Sequence, residues 1–293
     1  MQKKNDWRAW LYLAPVIILL AVFTFYPLIN TFVVSFTKNY DYTMLAGEGF
    51  TFENYAKVFQ DADVVKYAIP NTLIVVFVSV PLSIAISLLI AVGLNSIKAL
   101  KKIFQTIFFM PYVTNAIAVG MVFAVIFDQN GLWNTIFNMM GTKWIDGAAT
   151  QQNAMLALLV YSVWHALPYK ILIFLSGLQN IDKQYYEAAA VDAAGKVKTF
   201  MNVTVPLLSP QILYIMITSF IGSFKEYSSV VGLFGRQGTL AGTYNMYTIV
   251  YYIYDSIGAN HVQYGCAAAV MLFGVILIFT GIQFIVSNKR VHY

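Results

Sequence analysis

Residues 185–195 read Tyr185-Tyr186-Glu187-Ala188-Ala189-Ala190-Val191-Asp192-Ala193-Ala194-Gly195, and the segment closes at Val205-Pro206-Leu207-Leu208-Ser209-Pro210. It is the most polar run between two long, largely apolar stretches, residues 154–179 and 207–234. Apolar runs of about 20 residues have the length of a helix that crosses a bilayer. The flanks therefore decide the fold class, and the polar run between them is where the chain meets something other than lipid.

The whole chain follows suit. Its 293 residues are 59% hydrophobic and 11% charged, whereas a soluble domain is roughly half apolar and about a quarter charged. Largely uncharged stretches at about 11–36, 69–95, 103–127, 154–179, 207–234 and 265–287 predict an all-α polytopic membrane protein with six transmembrane helices. Pro70 and Pro81 predict bends in the second span, and Pro111 interrupts the third. Residues 128–153 are polar but hold Trp133, Phe137 and Trp144, which suits an interfacial or re-entrant segment. Residues 244–257 read as a short aromatic helix between the fifth and sixth spans.

The net charge is +5, yet the basic residues mark the ends of apolar runs rather than a nucleic-acid-binding face. Lys3, Lys4, Arg8, Lys98, Lys101, Lys102, Lys183, Lys196, Lys198, Lys289 and Arg290 fall on the side of the termini. Lys38, Lys57, Lys66, Lys143 and Arg236 fall on the other. This asymmetry predicts cytoplasmic termini (residues 1–10 and 288–293) and a cytoplasmic loop at 182–206. The first apolar run is too long for a cleavable signal peptide. The single cysteine, Cys266, lies in an apolar run and reads as a small core residue. Gly195-Lys196 lacks the upstream glycine of a phosphate loop, and His165, His261 and His292 have no metal-ligand spacing. No paired acids or nucleophile motif suggests a membrane enzyme, and no repeat between the halves suggests a secondary transporter.

Within the 182–206 loop, Asp182 suits a helix N-cap, and five alanines follow in the quoted run. Glu187, Ala190, Val191 and Ala194 share a face at helical spacing, and Gly195 would end the helix as a C-cap. Residues 196–203 form a second short helix in this reading. The small side chains suit close approach by a protein partner, while an amphipathic connector lying at the lipid headgroups is the other reading.

The segment resembles the Glu-Ala-Ala signature of permease subunits of bacterial ABC importers. The similarity rests on Glu187-Ala188-Ala189, Asp192, Phe200, Val203, Val205 and Pro206, and runs upstream through Trp164, Pro168, Gly177-Leu178-Gln179, Ile181 and Tyr186. The extended form, with Tyr252-Ile253-Tyr254 and Tyr264-Gly265 further on, is similar to the sugar-importing branch, in particular its first permease subunit of the maltose and glycerol-phosphate type. It departs at Ala193, where the signature has glycine, with Gly195 two residues on, and at Val205, where it has leucine. Its Gly-Gly-Pro after the fifth span is replaced by Gly235-Arg236-Gln237-Gly238. Because alanine favours helix, the first loop helix is expected to continue to about Ala194.

The resemblance implies the type I importer permease fold, with a cytoplasmic coupling helix between the fourth and fifth spans. It implies a heterodimer with a second homologous permease, two ATPase subunits or an ATPase dimer, and an extracellular binding protein that delivers a sugar. This chain would bind no cofactor, ATP and Mg²⁺ being used on the ATPases. The coupling contacts would be Tyr186, Glu187, Ala188, Ala189, Asp192, Gly195 and Pro206. For the cargo, Ser219, Ser223, Glu226 and Tyr227 recur as a polar stripe on an apolar helix. Position by position, the resemblance carries the substrate site onto Tyr112, Asn115, Ala116, His165, Ala166, Tyr169, Ser219, Ser223 and Glu226. Lys170 and Lys225 are buried charges to be explained, either by pairing with Glu226, by reaching outward to the interface, or by contacting an anionic cargo. Glycerol phosphate or another polyol derivative is the alternative cargo.

Overall fold

The computed structural model describes residues 6–97, 101–137, 139, 141–145, 149–235, 239–240 and 244–287. Residues 1–5, Lys98, Arg236–Gly238 and the tail from 288, on which parts of the topology and family readings fell, lie outside this set. Four helices are long and apolar enough to cross a membrane unbroken: Trp10–Ser35, Val64–Ser96, Gln151–Asn180 and Val262–Ser287. Two bent pairs complete a six-span order, Thr106–Val113 with Ala116–Ile126 at 108°, and Lys196–Leu207 with Ser209–Phe224 at 67°. The third span is interrupted, but not at Pro111 as expected, since Pro111 lies inside the helix Lys101–Val113. It breaks at Thr114–Asn115, where the Asn115 side chain accepts from the amides of Ile117 and Ala118.

The prolines shape the spans in a specific way. Proline lacks an N–H and its ring collides with the carbonyl four residues back. Widened π turns cover Ala21–Phe25, Val64–Ala68, Val75–Ser79 and Phe200–Thr204, and each ends two residues before a proline, namely Pro27, Pro70, Pro81 and Pro206. The extra residue in each turn re-routes the carbonyl that the ring would strike. The bends expected at Pro70 and Pro81 take this form.

The chain divides into two compact units. One comprises residues up to Asp61 together with Tyr252–Gly274. In it, none of the most apolar stretch of the first span is buried. Phe36 stacks on Phe50 at 5.1 Å, and the Asn54 amide donates to the carbonyls of Ser35 and Thr37. The loop expected over 38–66 contains the helix Glu53–Gln60, on which Lys57 pairs with Glu53 at 3.1 Å and donates to the Tyr264 hydroxyl.

The second unit comprises Ala62–Tyr251 and the chain from Val275. Its core joins Phe127, Leu158, Tyr161 and Val230 with Trp144 and Met246. From the segment after Phe127, Trp133 and Trp144 pack in this core, with the Trp144 indole donating to Asn134 at 2.7 Å. Strands Thr239–Leu240 and Tyr244–Asn245 pair antiparallel, and the aromatic helix begins only at Ile249 rather than at Tyr244. That start is held by side chains, since Asn71 donates to the Tyr247 carbonyl and the Ile249 amide donates to Thr72.

The tightest helix crossing lies between Ala116–Ile126 and Ser228–Phe234. A Cβ on Gly120 would meet the Cα of Gly232 at 2.6 Å, and one on Gly232 would meet the Cα of Gly120 at 2.9 Å. Neither contact can be relieved by rotating a side chain. Gly120→Ala and Gly232→Ala are expected to cost about 1–3 kcal/mol each, the usual range for overpacking. They should lower the melting temperature of the purified protein in detergent. Gly93→Ala, whose Cβ meets nothing within 4 Å, should leave it unchanged or raise it.

Candidate functional site

A cavity of about 310 Å³ opens between the second, fourth and fifth spans and is closed on one side by Tyr112. The second span contributes Ser79, Val80 and Ser83, the fourth Ser162, His165, Ala166, Tyr169 and Lys170, and the fifth Thr218, Ser219, Gly222, Ser223 and Glu226. Ser79 closes the π turn before Pro81, so the widened turn helps shape this wall.

Two kinds of surface face the space. The rings of Tyr112 and Tyr169 stack at 5.5 Å and 18°, and the Tyr169 hydroxyl meets that of Tyr214 at 2.8 Å. The hydroxyls of Ser162 and Ser223 are buried and have no hydrogen-bond partner among the described residues. Lys170 is 4% exposed and donates to the Ser83 hydroxyl. Aromatic faces suit the C–H surfaces of a ligand, and unpaired buried hydroxyls suit its polar groups. Among the described residues, no group of three His, Cys, Asp or Glu side chains is arranged to hold a metal.

Of the residues singled out from the sequence, Tyr112, His165, Ala166, Tyr169, Ser219, Ser223 and Glu226 line this one cavity. Asn115 and Ala116 do not line it. Asn115 caps the second half of the third span, and the Ala116 carbonyl accepts from the Tyr161 hydroxyl at 2.5 Å. The polar stripe is also not on one continuous helix. The helix Ser209–Phe224 stops at Lys225, and a new one begins at Ser228. Glu226 sits in the break, where its carboxylate accepts from the Ser229 amide at 2.9 Å and its carbonyl accepts from the Thr248 hydroxyl at 2.8 Å. Neither Lys170 nor Lys225 pairs with Glu226 among the described residues, and Lys225 is exposed. Sequence reading missed Ser79, Ser83, Ser162 and Thr218. The first two belong to a visible stripe, Ser79, Ser83 and Ser87, at intervals of four, and Ser162 extends the His165–Tyr169 face by one turn.

The quoted polar run forms the helix Lys183–Val191, with the Asp182 carboxylate accepting from the Gln184 amide at 3.1 Å. Ala189 is buried, Glu187 is exposed, and Val191 and Val197 are 87% and 77% exposed. The helix does not reach Ala194. Asp192 is its C-cap and Ala193 takes the left-handed conformation, φ 53°. The Ala194 amide donates to the Ala189 carbonyl and the Ala193 amide to the Ala190 carbonyl, the paired bonds of a Schellman stop. Ala194 thus leaves the face it was expected to share with Glu187, and Gly195 caps the start of the next short helix, Lys196–Thr199, instead of ending the first. At the base of the loop Gly177 allows close approach, since a Cβ there would meet the fully buried Leu208 side chain at 2.8 Å.

Residues 83–292 match the family described as the inner membrane component of binding-protein-dependent transport systems. The chain belongs to this family. It is 30% identical over 302 residues to the arabinooligosaccharides transport system permease protein AraP of Bacillus subtilis, which covers 98% of this chain and 93% of that protein. It is 28% identical to the lactose transport system permease protein LacF of Rhizobium radiobacter, covering 99% and 97%. A chain in the crystal structure of a bacterial ABC transporter involved in the import of the acidic polysaccharide alginate superposes with a TM-score of 0.81 over 99% of this chain and 98% of that one, at 20% identity. The fold is accordingly that of the type I importer permeases, and the protein is a multi-pass component of the inner membrane.

In this permease an alanine therefore holds a left-handed stop where the signature it resembles has glycine. A non-glycine residue pays about 1–2 kcal/mol for that conformation. Ala193→Gly should recover about 1 kcal/mol locally, seen as slower hydrogen exchange at the amides of residues 193 and 194. Ala193→Val should accelerate it, because a β-branched side chain is still less tolerant there. Equal exchange in all three proteins would contradict the strained stop.

Proposed function

We propose that this permease is one transmembrane half of an ATP-driven importer that takes up a sugar or oligosaccharide delivered by an extracellular binding protein. The observation that carries the reading is the cavity, in which stacked tyrosines and unpaired buried hydroxyls meet inside the spans. The names of its relatives, transporters of arabinooligosaccharides and lactose, support the same cargo class. The other half is a second homologous permease, and the pair works with two ATPase subunits or an ATPase dimer, on which ATP and Mg²⁺ are used. The distribution of lysine and arginine supports cytoplasmic termini and a cytoplasmic 182–206 loop.

In this scheme Glu187 and the exposed apolar residues beside the turn form the ATPase contact. Closure of the ATPases moves the loop, and the spans swing between inward- and outward-open states. A second reading, uptake of glycerol phosphate or another polyol derivative, draws support from 26% identity to the sn-glycerol-3-phosphate transport system permease protein UgpA of Yersinia pestis. A secondary transporter or a membrane enzyme would not co-purify with an ATPase, which separates those classes from both readings.

Two variants test the scheme in proteoliposomes holding the complete importer. Tyr169→Ala is expected to reduce sugar uptake by about 10-fold or more, through loss of a stacked ring and a hydroxyl, with the ATPases still bound. Glu187→Lys is expected to leave the protein inserted but to detach ATP hydrolysis from uptake. Undiminished transport by a stably assembled Glu187→Lys complex would refute the coupling role, and unchanged uptake by Tyr169→Ala would refute the site.

A further inference from the structure

We infer that the cavity selects a saccharide bearing a carboxylate, and that Lys170 is the residue that determines this specificity. The inference rests on the sugar-import reading above. Lys170 lies within the fourth span, is 4% exposed and lines the cavity. An ammonium at such depth faces protein or water and is paired with a charged side chain or with backbone carbonyls. Here its acceptor is the hydroxyl of Ser83, which is neutral and turns its own proton to the Val80 carbonyl at 3.0 Å. No carboxylate lies within ion-pair distance of Lys170 among the described residues. Glu226, which lines the same cavity, already receives the Ser229 amide at 2.9 Å.

In its charged form Lys170 has no counter-charge among the described residues and has donors to spare, since an ammonium has three. Ser162 and Ser223 line the same cavity, and their hydroxyls are buried without partners among the described residues. A ligand that complements this lining brings one negative charge and several hydroxyls. In a cavity that holds Glu226 as well as Lys170, a carboxylate adds one negative charge for the lysine to meet, whereas a phosphate adds up to two. The charge count thus favours a uronic-acid unit over a sugar phosphate or glycerol phosphate.

The test uses the complete importer in proteoliposomes and three probes: a uronate tetrasaccharide, its carboxyl-reduced neutral counterpart, and glycerol 3-phosphate. Equilibrium binding to the same complex in detergent, without the binding protein, is the second readout. The expected result is a preference of about 10-fold or more for the uronate over the reduced sugar, the scale of a charged hydrogen bond. Lys170→Gln should erase that ratio, and Lys170→Arg should keep most of it. A lysine that merely tethers two spans through Ser83 would lower binding of both sugars together and leave the ratio intact, which would overturn the inference. A preference for glycerol 3-phosphate over the uronate would do the same. Import of the neutral sugar alone would overturn the inference while sparing sugar import, whereas import of neither saccharide by an ATP-hydrolysing complex would remove both. If Lys170→Gln does not assemble, the wild-type ratio and Lys170→Arg decide.

Discussion

A backbone amide left without an acceptor in hydrocarbon costs several kcal/mol, and this constraint organises the permease. Its spans are not uniform rods, so every interruption has to satisfy the groups it frees. Asn115 does so at the break in the third span, where its side-chain oxygen takes two amides. Glu226 does so at the end of the fifth, where it takes the Ser229 amide while Thr248 donates to its carbonyl. Where prolines intrude, a π turn widens the helix ahead of the ring. Asn115 and Glu226 are polar side chains that such breaks require, whereas Ser83, Ser162, His165 and Lys170 lie on unbroken helices and line the cavity.

The loop over 182–206 is held in a different way. Its two short helices meet at a stop with paired backbone bonds, and its base is fixed where Gly177 lets the fourth span approach Leu208. The chain then bends by 67° at Leu208, between Lys196–Leu207 and Ser209–Phe224, with Pro210 in the first turn of the second helix. An alanine in the left-handed region at position 193 stores local strain in this otherwise regular loop. The hydrogen bonds of the stop fix the conformation more strongly than alanine's preference for helix opposes it.

Much of this was legible in the sequence, for identifiable reasons. Span positions follow from the length of apolar runs, which local breaks do not disturb. The Asp182 cap follows from residue type, and the convergence of Tyr112, His165, Tyr169 and the fifth-span serines is implied by the family resemblance. What escaped depended on backbone details that periodicity does not report. The interruption of 103–127 reads as lying at Pro111 rather than at Asn115, because nothing in the composition distinguishes Asn115 as a cap from Asn115 as a lining residue. Propensity extended the loop helix to Ala194, because it counts alanines and cannot see the six-to-one bond that ends the helix at Val191. Glu226 fell on the stripe with Ser219 and Ser223 only if the helix continued. It reaches the same cavity from a break, through tertiary contacts with the segment around Thr248.

The fourth span joins the cavity to the loop. Gln151–Asn180 is a single helix of 30 residues carrying Ser162, His165, Tyr169 and Lys170 on its cavity face, and it ends two residues before the Asp182 cap. From Lys170 to Asp182 is about 18 Å at the rise of an α-helix. No flexible linker intervenes over that distance, and the helix is clamped to the fifth span at Gly177 and Leu208. The fifth span supplies the facing wall through Thr218, Ser219 and Ser223, and it too leads directly out of the loop. Loop and cavity are therefore opposite ends of the same two helices. A force applied at the loop has a direct mechanical route to the residues that line the cavity, and close packing at the clamp leaves little slack to absorb it.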